Sequence, residues 1–137
     1  MQPLNFFDLF TSINWVGFIV SVVVVSAIGA IWHSSVLFGE IWKKANKADS
    51  KGNSNVHAAI VLILQLITTA LIGLMYFVAT QISMWLSLLL LVAIAGWEVS
   101  DLSFRIRDYK SFLKAVSVGV GYFCVTSLIF IFFATLE

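Results

Sequence analysis

His33 and Glu98 have the strongest claim to chemistry in this chain. Each lies near one end of a long apolar run. If those runs touched, a hydrogen bond between the two side chains would make a proton or cation site. A carboxylate at the centre of a bilayer costs on the order of 3 kcal/mol on insertion scales, and much less near a helix end. Glu98, a turn before Asp101, therefore reads first as an interfacial acid paired with Arg105 or a lysine, and His33 as an interfacial histidine that helps helices pack. His57 starts the next apolar run. Two histidines at one boundary are a haem or metal pattern in outline, but tight spacing and a third ligand are missing. Gln65 lies well inside its run and reads as an interhelical hydrogen-bonding group, with a substrate contact as the lesser reading. Cys124, the single cysteine, reads as a small packing residue. There is no glycine-rich phosphate loop, no nucleophile elbow and no carboxylate pair with hydrolase geometry. The expectation is a non-enzyme without cofactor or metal.

The elements that must position these residues are membrane helices. Of 137 residues, 61% are hydrophobic and only 11% charged, too little charge to cover a soluble domain. A bilayer span needs roughly 20 apolar residues, and four such runs use most of the chain. They cover residues 13–38, 58–79, 83–100 and 112–135, separated by loops at 39–57 and 101–111 and by a short uncharged turn at Thr80, Gln81 and Ser83. Unbroken runs of this length exclude barrel strands of about ten residues. The predicted fold is all-α, a single four-helix transmembrane domain. Met1 to Ser12 has no Lys or Arg, and the following run is long, so it reads as a retained helix rather than a secretory signal. All eight basic residues lie in or just beyond the two loops: Lys43, Lys44, Lys47, Lys51, Arg105, Arg107, Lys110 and Lys114. The positive-inside rule then predicts cytoplasmic loops and both chain ends outside. Trp15 and Trp85 would form the outer aromatic belt, and Trp32, Trp42 and Trp97 the inner one. Leu4, Phe6, Phe7, Leu9 and Phe10 would lie along the outer interface. A net charge of +1 gives no indication of nucleic acid as a partner.

Lipid tails are as apolar as leucine, so helices in a bilayer associate through small and hydrogen-bonding residues. At roughly 100° per residue, Asn14, Gly17 and Ser21 share one face of the first run, and Ser26, Gly29, Ala30 and His33 another. Gln65, Thr69, Gly73, Tyr76 and Thr80 form a continuous stripe on the second run. Ser83, Ser87, Ile94 and Glu98 fall together on the third. The fourth has two small faces, Ala115–Gly119–Thr126 and Ser117–Gly121–Cys124, which predicts packing on both sides. The plain reading of all these stripes is packing. The sharper one is a polar path or oligomer interface along the second run.

Asn14-Trp15, then the segment from Gly29 through Trp32, His33, Phe38 and Gly39, then Trp42, resembles a family of small four-helix bacterial membrane proteins, domain of unknown function family 1761. Those proteins typically open with Asn-Trp and end the first helix with a Trp-Tyr-Ser-Pro-like segment, a Phe-Gly and a further Trp. The resemblance covers the first forty-odd residues; Gly96-Trp97 and the 119–123 segment match loosely. His33 stands where the family usually has Tyr, and Ser35 where it usually has Pro, which removes an expected kink or helix stop. The resemblance implies a multi-pass protein of the bacterial inner membrane and brings no activity. Gly39 would end the first helix, Phe38 and Trp42 would anchor its exit, Trp32 would pack across Gly29, and Asn14 would cap or bridge helices.

Three functions compete on these residues. The first is a non-enzymatic assembly protein, a homo-oligomer or a support for a partner membrane protein, with lipids as its other partners. The second is an oligomeric carrier or channel for a small solute or ion, lined by Gln65, Thr69 and Tyr76. The third, a membrane enzyme or haem protein using His33, His57 and Glu98, has least in its favour.

Overall fold

The computed structural model describes residues 6–41, 55–106 and 108–136, the side chains of residues 6, 9, 55–61 and 105 excepted. Trp42, the four lysines of the first loop, Leu4 and Arg107 lie outside the described residues, as do the side chains of His57 and Arg105. In chain order come α1 (Phe6–Thr11), α2 (Trp15–Trp32), α3 (Asn55–Ile82), α4 (Met84–Arg105) and α5 (Tyr109–Thr135). α2 to α5 are four helices long and apolar enough to cross a membrane.

Polar side chains set where three of them begin. Asn14 Oδ1 accepts from Gly17 N–H at 2.9 Å, Ser83 Oγ from Trp85 N–H at 3.2 Å and Asp108 Oδ2 from Ser111 N–H at 2.8 Å. Each satisfies an amide that has no intrahelical acceptor. Asn14 also donates through Nδ2 to the carbonyl of Leu136 at 3.0 Å, so one residue both caps α2 and ties it to the end of α5.

The boundaries differ from the hydropathy reading in three places. The first helix stops at Trp32, six residues short of the expected end at 38. No proline is needed for this. Ser34 Oγ donates to Ile31 O at 2.6 Å and accepts from Val36 N–H at 3.3 Å. The chain then turns back so that Phe38 N–H donates to Trp32 O at 3.1 Å and Gly39 N–H to Ser34 O at 2.9 Å. A Cβ on Gly39 would collide with the carbonyl of His33 and lie 2.6 Å from that of Ser34. Gly39 thus permits a tight return rather than terminating the helix itself. In the second place, α3 and α4 run together with only Ser83 between them. In the third, α4 continues to Arg105 and α5 begins at Tyr109, so most of the expected 101–111 loop is helix. The cause is apolar: Leu102, Ile106 and Ala115 are buried against one another with Phe112 and Val116 beside them, which holds the charged segment in place.

α5 is the central element, packed on α2, α3 and α4, as its two small faces predict. The core runs along it through Val25, Tyr76, Phe77, Phe130 and Ala134. Outward stand Leu62, Leu71, Leu89, Val92 and Phe104, all largely exposed. An apolar surface of this extent is stable facing lipid and not water. Trp15 and Trp85 project at the end carrying the termini, and Trp97 towards the other. Phe10 of α1 stacks on Trp15 at 6.4 Å between ring centroids, which keeps α1 against the bundle.

Asp108 gives the fold a measurable pH dependence. Its hydrogen bonds from the Ser111 side chain and backbone, with Lys114 nearby, hold its carboxyl below the usual carboxylate range. A depressed folded-state value means that the cap's contribution is complete above the unfolded carboxylate pKa. It is lost as pH falls through the lower, folded value. Thermal unfolding of Asp108→Ala in detergent should therefore show a lower midpoint at neutral pH and a flatter acid limb than wild type. Parallel acid limbs would show that the cap does not titrate with folding.

Candidate functional site

Toward the end bearing the long loop, a cavity of about 560 Å³ lies between the first span and α3. Ser26, Gly29, Ala30 and His33 line it from the first span, and Leu62, Gln65 and Leu66 from α3. This is the inner-half face expected on the first run, joined by one member of the stripe on the second. Gly29 makes the meeting possible. The point where its Cβ would stand lies 2.7 Å from Tyr122 Oη and 3.4 Å from Gln65 Nε2, so a hydroxyl of α5 and an amide of α3 converge on it. Ser26 Oγ is buried and has no hydrogen-bond partner among the described residues. His33 lies edge-on to Tyr122, with ring centroids 5.2 Å apart.

The rest of the α3 stripe is used within the bundle. Thr69 and Gly73 are buried, the latter against Phe130. Tyr76 and Ser127 share a 2.7 Å hydrogen bond in the core. Thr80 Oγ1 bonds Tyr76 O at 2.8 Å and Ser87 Oγ at 2.8 Å, closing the α3–α4 hairpin. Only Gln65 of the five reaches the cavity.

His33 and Glu98 are carried by elements that both pack on α5. The Glu98 carboxylate lies against Gly119, its Oε1 2.9 Å from where a Cβ would stand, while the His33 ring lies against Tyr122. The small face at Gly119 thus makes room for the acid. Trp32 does not pack across Gly29. It crosses to α5, donating through Nε1 to Val118 O at 3.1 Å, resting on Gly121 and packing with Phe38 at 4.9 Å. A helix carbonyl within reach of an indole N–H outcompetes a glycine one turn away on the same helix. Among the described residues, no three His, Cys, Asp or Glu side chains group as metal ligands would.

Two participants escaped the sequence reading. Tyr122, next to Gly121 and about a turn after Gly119, and Ser127, next to Thr126, both sit on α5, but nothing in their spacing says which neighbour they meet. Comparison with protein-family models, with curated proteins and with solved structures finds no match for this chain. The likeness to domain of unknown function family 1761 therefore rests on the Asn14-Trp15 and Gly29–Trp42 residues alone.

Proposed function

We propose that this integral membrane protein is a non-enzymatic assembly subunit that associates, with further copies of itself or with a membrane partner, through the outward face of α4. One observation supports this reading above others. Gly17, Gly29, Gly39, Gly73, Gly119 and Gly121 each give up a Cβ to a neighbouring atom, whereas Gly96 has nothing within 4 Å. Ala93 and Ser100 flank it on the same exposed face, beside Trp97, which is 77% exposed. Small residues in membrane helices allow close backbone approach, and here the approaching helix would come from another chain. The distribution of basic residues supports placing the loops in the cytoplasm and both chain ends outside, and the family resemblance carried by Asn14-Trp15 and the 29–42 segment supports the bacterial inner membrane. The carrier reading has less support: Gln65 faces a cavity, but Thr69, Gly73, Tyr76 and Thr80 are engaged within the bundle.

Native mass spectrometry of protein released from lipid nanodiscs tests the proposal. Wild type should appear as a defined homo-oligomer or with a second protein bound. Gly96→Ile, which places a branched side chain on that face, should appear as monomer. A monomeric wild type without a partner would sink this reading.

A further inference from the structure

The tight return after α2 builds a wall beside α5. Phe38 packs on Trp32 with ring centroids 4.9 Å apart, and Trp32 Nε1 donates to Val118 O at 3.1 Å. Phe38 and Ile41 are thereby held next to α5, and a cleft of about 280 Å³ lies between them and Leu113, Lys114, Ser117 and Val118. The cleft is graded along the helix. Lys114 stands four positions before Val118, about 6 Å along the axis and on the side of the charged connection between α4 and α5. Lys110 lies one further turn toward that connection, and both lysines are exposed. Below Lys114 the polar groups are already used: Ser117 Oγ donates to Leu113 O at 2.8 Å, and the Val118 carbonyl holds the Trp32 indole. Ile41 and Leu113, both exposed, leave this apolar part open toward lipid. Asp108 feels the charge of Lys114, but its carboxylate accepts from Ser111 N–H at 2.8 Å and so stays at the start of α5.

A cation at the mouth and an apolar slot beneath it fit an amphiphile that carries its charge at one end. A soluble anion would leave the slot unfilled. A zwitterionic lipid brings its own cation to compete with the lysines, whereas an anionic headgroup gains from each of them. A lysine near a helix end also extends its ammonium toward the headgroup layer while its stem covers apolar surface. We infer that this cleft seats an anionic phospholipid of the leaflet facing the loops. Its phosphate lies against Lys114 with Lys110 above it, as a point charge binds phosphate. The upper part of one acyl chain runs along Phe38, Ile41 and Leu113. The close turn at Gly39 then has a purpose beyond ending a span, since it brings the second wall of the cleft to α5. The site is separate from the α4 face and does not depend on it.

The test uses the full chain in nanodiscs of phosphatidylcholine and phosphatidylglycerol in equal amounts, with the lipids retained on release read by native mass spectrometry. Wild type should retain phosphatidylglycerol in preference. Lys114→Gln should lower that preference about fivefold, the effect of removing one lysine beside an anionic headgroup, and the pair Lys110→Gln and Lys114→Gln about 25-fold. Lys114→Arg should keep it. A phosphatidylglycerol with a diazirine high in its acyl chain should label residues 38–41 and 113–118. Ser117→Phe, which fills the slot from an exposed position and leaves both lysines in place, should abolish the preference and the labelling. Equal retention of the two lipids by wild type would overturn the inference, as would labelling spread over the lipid-facing helices. An unchanged preference in Ser117→Phe would mean that the lysines act only as diffuse surface charge and that no lipid is seated. Displacement by free glycerol phosphate would mean that the anion alone is recognised, and would overturn it too.

Discussion

Gly73→Val is expected to cost about 3 kcal/mol of bundle stability, at the upper end for forced overpacking of a core. The cause is a single ring. A Cβ on Gly73 would stand 2.5 Å from Phe130 Cε1, 2.9 Å from Cζ and 3.1 Å from Cδ1, along one edge of the ring. Phe130 is 2% exposed and stacks on Tyr76 at 6.0 Å with an 11° interplanar angle, so the ring has no free side to retreat to. Alanine is the more informative substitution. In a helix interior it should gain about 1 kcal/mol over glycine from backbone entropy, so any net loss understates the clash. Gly96→Ala is the internal control: the same gain with nothing within 4 Å should leave the monomer unchanged or more stable. Reversible unfolding in mixed detergent reads all three. Adding Phe130→Leu to Gly73→Ala should restore part of the loss. A Gly73→Ala protein as stable as its Gly96→Ala counterpart would show that α3 and α5 do not meet this closely.

That contact shows what was legible in the sequence and what was not. Composition and run length identified four spans, because bilayer thickness leaves few alternatives for residues this apolar. Helical periodicity identified the faces: Asn14 and Gly17 do meet the end of α5 and Ser21 is buried on the same helix, Ser26–Gly29–His33 does line one surface, and the fourth span is packed on several sides. Periodicity does not say which face meets which. Gly73 and Phe130 are 57 positions apart, and nothing at either position names the other. The same gap hid Tyr122 behind Gly29 and sent Trp32 to Val118 and Gly121 instead of its own helix. Boundaries failed for a different reason. Hydropathy reports where a chain tolerates lipid, not where its hydrogen-bond ladder ends. A serine hydroxyl ended α2 inside an apolar segment and a glycine further on let the chain turn back, while Leu102 and Ile106 kept α4 and its exit ordered through a charged one.

Tyr76 separates the two forces that hold such a bundle together. It is fully buried, it stacks on Phe130, and its hydroxyl shares a 2.7 Å hydrogen bond with Ser127, itself 2% exposed. In water, removing a buried aromatic loses both transfer energy and packing. In a bilayer the transfer term largely cancels, because the unfolded reference still lies in hydrocarbon. What remains is the cavity, so Tyr76→Ala is expected to cost about 3 kcal/mol, at the low end of the range for aromatic truncation. Tyr76→Phe keeps the ring and should cost only about 0.5–1 kcal/mol, in line with interhelical hydrogen bonds in membranes. The Ser127 hydroxyl can then turn to a carbonyl of its own helix, which limits the loss. Ser127→Ala leaves the phenol without that escape and should cost more than Tyr76→Phe. The double variant should cost less than the sum of its two parts, since removing both partners orphans neither. Unfolding free energies of the four proteins decide the matter. Strict additivity would mean that the hydroxyls do not share a bond. A Tyr76→Ala protein no weaker than Tyr76→Phe would mean that the ring contributes nothing to packing, and with it would go the α3–α5 contact on which the position of the stripe depends.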